Sequence, residues 1–287
     1  MNRGASAIAA AWLALGAQGV AAPPVDPDWQ EVPREQADLR LLTPRGRTAL
    51  DLPGADWRHA QSGHFVIHFE QAIFARKVAR MAEFFYTYIA ADLAGAQDRV
   101  EGRSHIFIFR SEKDWKAFGA VAGDVPEWTF SQVSGPVMFL QQAADTSSSG
   151  DVLAHEMAHL VVNRFLERPP PLWLNEGLAE FYEEFAYSAF KGIKKSRRAQ
   201  FRRLDRLFPV GPLLEASAYP QDAASVQAFY QTAKYMVGWL RLDRPADQFV
   251  PFLEDLSRGG IFRDAFAKHY NLPTTADVEG AFLKFAR

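Results

Sequence analysis

Three consecutive prolines, Pro169-Pro170-Pro171, separate two runs that otherwise read as apolar helix, "DVLAHEMAHLVVNRFLER" and "LWLNEGLAEFYEEFAYSAF". Proline lacks an amide proton and its ring clashes with the preceding turn, so no helix passes through such a triplet. The chain must break near residue 168 and restart within a few residues. Two apolar helices joined by so short a link pack antiparallel. The spacing predicts helices over 151–167 and 175–190, with Asn175 as the N-cap of the second.

This hairpin gathers reactive side chains. Helical positions four apart share a face and lie about 6 Å apart along the axis. His155 and His159 of "HEMAH" can therefore aim both imidazoles at one ion. Glu156 is turned ~100° from His155, onto the flank, where a carboxylate reaches a water rather than the ion. The H-E-x-x-H spacing thus offers two zinc ligands and a general base. Catalytic zinc takes a third protein ligand and keeps its fourth position open. Sixteen residues separate His159 from Glu176, enough for the returning helix to bring that carboxylate to the metal. Glu180, one turn later, suits the second nitrogen of a ligand histidine. A single histidine on an apolar helix is usually a core residue, but five such positions in one hairpin point to one zinc site. Cysteine is absent, which excludes disulfides and thiolate-bound metals.

The rest of the chain places the hairpin in an α+β layout. Met1 to Ala22 carries one charge, Arg3, ahead of an alanine-rich apolar run that falls short of the ~20 residues a membrane span needs. It reads as a signal peptide (residues 1–22) cut after Ala21 or Ala22. Its removal takes the formal charge from −2 to −3, and a cysteine-free exported chain suits a bacterial periplasm or exterior. Residues 23–55, rich in proline and charge, read as a linker or pro-like segment with at most one short strand. Alternation predicts strands over His64–Phe69 and His105–Arg110, and two short strands around Ser134-Gly135. Helical spacing runs over Gln71–Leu93, and Ser111 caps a helix with Asp114 three residues on. After Gly150 every pattern is helical, with further helices expected over 193–207, 222–242, 246–258, 260–269 and 274–286. A sheet-plus-helix lobe (56–168) is thus followed by a helical lobe (169–287), with the metal site between them.

"HEMAH" followed by "WLNEGLAEF" resembles the gluzincin superfamily of zinc metallopeptidases, in particular the bacterial peptidase MA-like domains; "DWRHAQSGHFVIHFE" is similar to their opening. The resemblance covers residues 56–286 and implies a zincin-like fold with one Zn2+ on His155, His159 and Glu176, and Glu156 as base. The gap before the third ligand, usually eighteen residues in aminopeptidase-N-like members, is sixteen here. The resemblance also implies a tyrosine on a later helix as oxyanion stabiliser. In "FYQTAKYMVGWL" that is Tyr230, with Tyr235 as competitor, although the family's Lys-Gly is replaced by Thr232-Ala233. Aminopeptidases of the superfamily grip the substrate amine with an acid in a G-x-M-E-N strand. "GPVMFLQQ" has no carboxylate there, so an endopeptidase is expected, its Val137, Met138 and Phe139 pairing with extended substrate if that strand is an edge.

The near-neutral charge and expected export argue against nucleic-acid binding. The basic run "KGIKKSRRAQFRRLDR" (191–206) reads as a solvated helix face, or as a weak contact with an anionic envelope surface. The expected partner is a peptide or protein substrate and the expected state a monomer. The rival readings are a catalytically silent zinc-binding envelope protein and a zinc amidase acting on cell-wall material.

Overall fold

The structure, a computed structural model, describes residues 28–93, 98–123, 129–142, 150–201, 203–204 and 206–286. The expected signal peptide lies outside the described residues. Among those described, no helix is long and apolar enough to cross a membrane.

A mixed sheet and a set of helices make an α+β fold. The strands are β1 (Gln30–Val32), β2 (Arg58–Gln61), β3 (Phe65–Phe69), β4 (Ser104–Phe109), β5 (Ser131–Ser134) and β6 (Val137–Gln141), in the order β1-β2-β3-β4-β6-β5. The β3-β4 and β4-β6 pairs are parallel, and the pairs flanking them are antiparallel. Parallel strands need cover on both faces, which is why β3 and β4 are buried along their whole length. Phe65, Ile67, Ile106 and Ile108 face α2 (Ala72–Asp92) and α4 (Gly150–Phe165), while Phe107 and Phe109 face α1 (Pro44–Leu50) and α3 (Glu112–Ala122).

Several expectations meet their elements closely. Ser111 caps α3, its Oγ accepting from the Asp114 amide at 3.2 Å. The stretch expected to be a linker is folded over its described part: β1 pairs with β2, and Leu42, Ala49 and Leu50 are buried under the sheet. With three and seven residues, β1 and α1 are too short to reveal a period. α1 is set instead by Thr43, which accepts from the Gly46 amide, and by Pro44 at its first position.

The C-terminal end of α4 is fixed by a buried arginine. Arg164, 3% exposed, donates to Asp98, to Ser104 Oγ and to the carbonyls of Val100 and Gly102, so all five guanidinium N–H groups are paired. After the prolines come α5 (Leu172–Phe190), α6 (Val210–Glu215), α7 (Ala223–Leu242), α8 (Ala246–Ser257), α9 (Phe262–Tyr270) and α10 (Thr275–Ala286). α5 packs against both α4 and α7.

Two helix expectations are corrected. α5 begins at Leu172, with Pro171 in the extended cap position and its carbonyl accepting from the Leu174 and Asn175 amides. Asn175 is therefore inside the first turn and caps nothing. The proline run ends in extended backbone, so the helix can start at once. Residues 193–207 form no helix in their described part beyond a single turn at Arg198–Gln200. Gly192 leaves α5 at φ 71°, and Phe201 is instead pulled into the core against Phe181 and Phe185. Arg197 is tied to Asp92 and the Tyr88 hydroxyl, so packing rather than helical spacing shapes this run.

Candidate metal centre

The α4–α5 hairpin brings three ligand atoms together. His155 Nε2 lies 3.6 Å from Glu176 Oε2, and His159 Nε2 lies 3.8 Å from the same oxygen. The two imidazole rings are 5.0 Å apart, edge to face. Their α-helical i,i+4 spacing puts both on the side of α4 facing α5, and Glu176 answers from the second turn of α5. Together these three residues could hold a metal ion. Glu176 is 5% exposed, and among the described residues no lysine or arginine pairs with it.

The field at the site favours a cation. Burial works against a charge on His155, but Glu176, Glu183 and the nearby Glu156 reverse that and lift its pKa to about 10. Burial likewise tends to raise Glu176, yet the two histidines and a tyrosine hold it below the usual carboxylate range. Glu180 is pushed upward by its burial and by the like charge of Glu183.

The outer partners differ from the expected ones. His155 Nδ1 contacts Glu183 Oε2 at 3.0 Å, whereas Glu180 Oε1 is 4.0 Å away, beyond hydrogen-bond reach. Glu183 lies seven residues after Glu176, again on one helical face, so spacing admits it beside Glu180 and only the packing of α5 on α4 chooses between them. His159 Nδ1 is buried with no hydrogen-bond partner among the described residues. Glu156 stands beside the cluster, accepting at Oε1 from the Ser131 hydroxyl of β5 at 2.7 Å.

A cleft of about 720 Å³ opens over the three residues, walled by β5 on one side and by Tyr219 and Tyr230 on the other. Phe130 and Val152 stand at its rim, 63% and 41% exposed, and no lysine or arginine is among its described lining residues. Tyr230 faces the cleft, its pKa pushed up to about 12 by burial and by the charge of Glu176. Tyr235 does not: it packs on Phe201, and its hydroxyl donates to the Arg203 carbonyl at 2.6 Å. Tyr219, in the loop before α7, reaches the cluster itself, its phenol donating to Glu176 Oε1 at 2.7 Å. Burial, with the Glu176 charge beside it, raises its pKa strongly. No local sequence pattern marks a loop tyrosine forty-three residues from its partner.

Val137, Met138 and Phe139 do not reach the cleft. They are fully buried on β6, an inner strand between β4 and β5. The edge strand beside the cleft is β5. The Gln141 amide donates to the Phe130 carbonyl, and bonding alternates along an antiparallel pair. The backbone groups of Ser131 and Val133 are therefore the ones that point off the sheet.

No family model matches this chain, and no curated protein does either.

Proposed function

We propose that this chain is an exported zinc-dependent endopeptidase with a zincin-like fold of the gluzincin kind. The observation that carries the reading is the convergence of His155, His159 and Glu176 beside a carboxylate, Glu156, that takes part in neither of their two contacts and is held by Ser131 instead. Two imidazoles and one carboxylate form a donor set suited to catalytic zinc. Ligand atoms 2.0–2.1 Å from a tetrahedral ion would lie roughly 3.3 Å apart, close to the separations of 3.6 and 3.8 Å here. Zinc held there would polarise the scissile carbonyl and lower the pKa of water towards ~7.

The chain's own groups supply the remaining chemistry. Glu156 takes the proton of the attacking water and returns it to the leaving amine. The Ser131 hydroxyl donates to its Oε1, which holds the carboxylate against rotation and leaves Oε2 to take the proton. Tyr230 offers a hydroxyl to the carbonyl oxygen as negative charge develops there. Ser131 and Val133 pair with an extended peptide along the open edge of β5, a geometry that accepts the middle of a chain. The absence of a basic side chain among the described lining residues leaves a terminal carboxylate without a partner, which also favours internal bonds. Export rests on residues 1–22 and predicts a mature N-terminus near Ala22 or Pro23.

Glu156→Gln tests the assignment. The variant should bind zinc stoichiometrically and lose hydrolysis of a denatured protein by roughly 10²–10⁴-fold. Retained turnover would remove Glu156 from the reaction.

A further inference from the structure

We propose that Tyr219 is a positioning residue which keeps Glu176 ligating through a single oxygen and thereby keeps one coordination position open. The inference rests on the zinc reading and deepens it. A carboxylate can offer a metal one oxygen or both, and the second mode would occupy the position that water and substrate need. Glu176 turns Oε2 towards both imidazoles, at 3.6 and 3.8 Å. Its other oxygen is engaged elsewhere: the Tyr219 hydroxyl donates to Oε1 at 2.7 Å. This carboxylate is almost wholly buried, so an Oε1 deprived of its donor would be an unsatisfied charged oxygen in a dry site, an unfavourable state. Its nearest relief would be to swing towards the ion.

Tyr219 is also held where it must be to do this. Its ring stacks on Tyr230 at 5.9 Å and 20°, and meets Phe229 edge-on at 6.2 Å. Both partners stand on α7, which packs on the same α5 that carries Glu176. The loop residue is thus referenced to the helix of its target, and the two tyrosines divide their work. Tyr230 faces the cleft, while Tyr219 spends its proton on the ligand.

The experiment compares wild type, Tyr219→Phe and Tyr230→Phe, each loaded with one equivalent of zinc. Zinc-edge X-ray absorption reads the number of light ligands, and hydrolysis of a denatured protein is measured in parallel. Phenylalanine preserves the stacked ring, so folding is expected to survive, and circular dichroism checks it. Tyr219→Phe should still take up zinc but gain a second carboxylate oxygen in its coordination shell. Its kcat should fall about 10–100-fold, the usual effect of losing a partner behind a ligand, with little change in KM. Tyr230→Phe should leave the zinc spectrum as in wild type. A zinc spectrum unaltered by Tyr219→Phe overturns the proposal, whether activity persists or is lost; lost activity over an unaltered metal would mean that Tyr219 touches substrate. Wild type that takes up no zinc overturns the metal reading itself, a result distinct from either.

Discussion

His155 sits between two carboxylates, with Glu176 3.6 Å from one ring nitrogen and Glu183 3.0 Å from the other. The second contact decides which proton a metal would displace: the Nδ1 proton stays directed at Glu183, so the one given up to a cation is that on Nε2, which faces Glu176. One helical turn is the shortest return to the same face, so spacing alone favours Glu180 for this role. The true distance depends on how α5 crosses α4, and that crossing carries the next turn but one closer. Glu183→Ala should therefore weaken zinc binding roughly tenfold, measured by competition with a chromogenic chelator. Glu180→Ala should change it much less. The reverse ranking would restore Glu180 as the orienting acid.

Among the elements, α5 carries the most constraint, for it meets α4 on one side and α7 on the other. The second approach is possible only because residue 177 is glycine. A Cβ there would lie 2.5 Å from the Ala233 carbonyl oxygen and 2.8 Å from Val237 Cγ2. Backbone cannot yield as a side-chain tip can, so α7 would have to move, and with it Tyr230. Gly177→Ala gains helix propensity on α5, yet overpacking should prevail. The expected cost is about 1–3 kcal/mol in urea unfolding, accompanied by reduced hydrolysis. A variant as stable as wild type would show that the two helices are not in this contact. The motif "NEG" thus reads as a ligand followed by a packing requirement.

Across the whole molecule, a row of three histidines links adjacent strands on the face of the sheet away from the metal centre. His59 Nδ1 meets His68 Nδ1 at 2.8 Å, and His68 Nε2 meets His105 Nδ1 at 2.9 Å. Each contact holds one proton between two nitrogens, and the third ring proton sits on an outer nitrogen, so both contacts are made with every ring neutral. Burial depresses all three, His68 well below its ordinary value and His105 to about 4, with Arg34 opposing charge at His59 and His68 and Asp38 only partly offsetting it at His105. Above pH 6.5 both folded and unfolded chains hold these rings neutral, and no penalty arises. As pH falls from 6.5 towards 4, the unfolded chain takes up protons that the fold excludes, and stability declines. His105 alone accounts for about 3 kcal/mol at the lower end. Urea midpoints measured between pH 7 and 4 should fall steadily, and a flat profile across that window would refute the role of the row.

The amino-acid order by itself determined whatever depends on neighbours along the chain. Pro169-Pro170-Pro171 imposed the break, "HEMAH" set two imidazoles on one helical face, and alternation marked β3 and β4. Those features follow from backbone geometry within a few residues, which a sequence carries openly. Tertiary packing alone decided which strand became the edge beside the cleft, why Glu183 rather than Glu180 meets His155, and how Tyr219 arrives at Glu176. It also drew Phe201 into the core and left most of 193–207 without a helix. Each of these depends on how separate elements cross, and the crossing is set by the fit of side chains distant in the chain, where no local period records it.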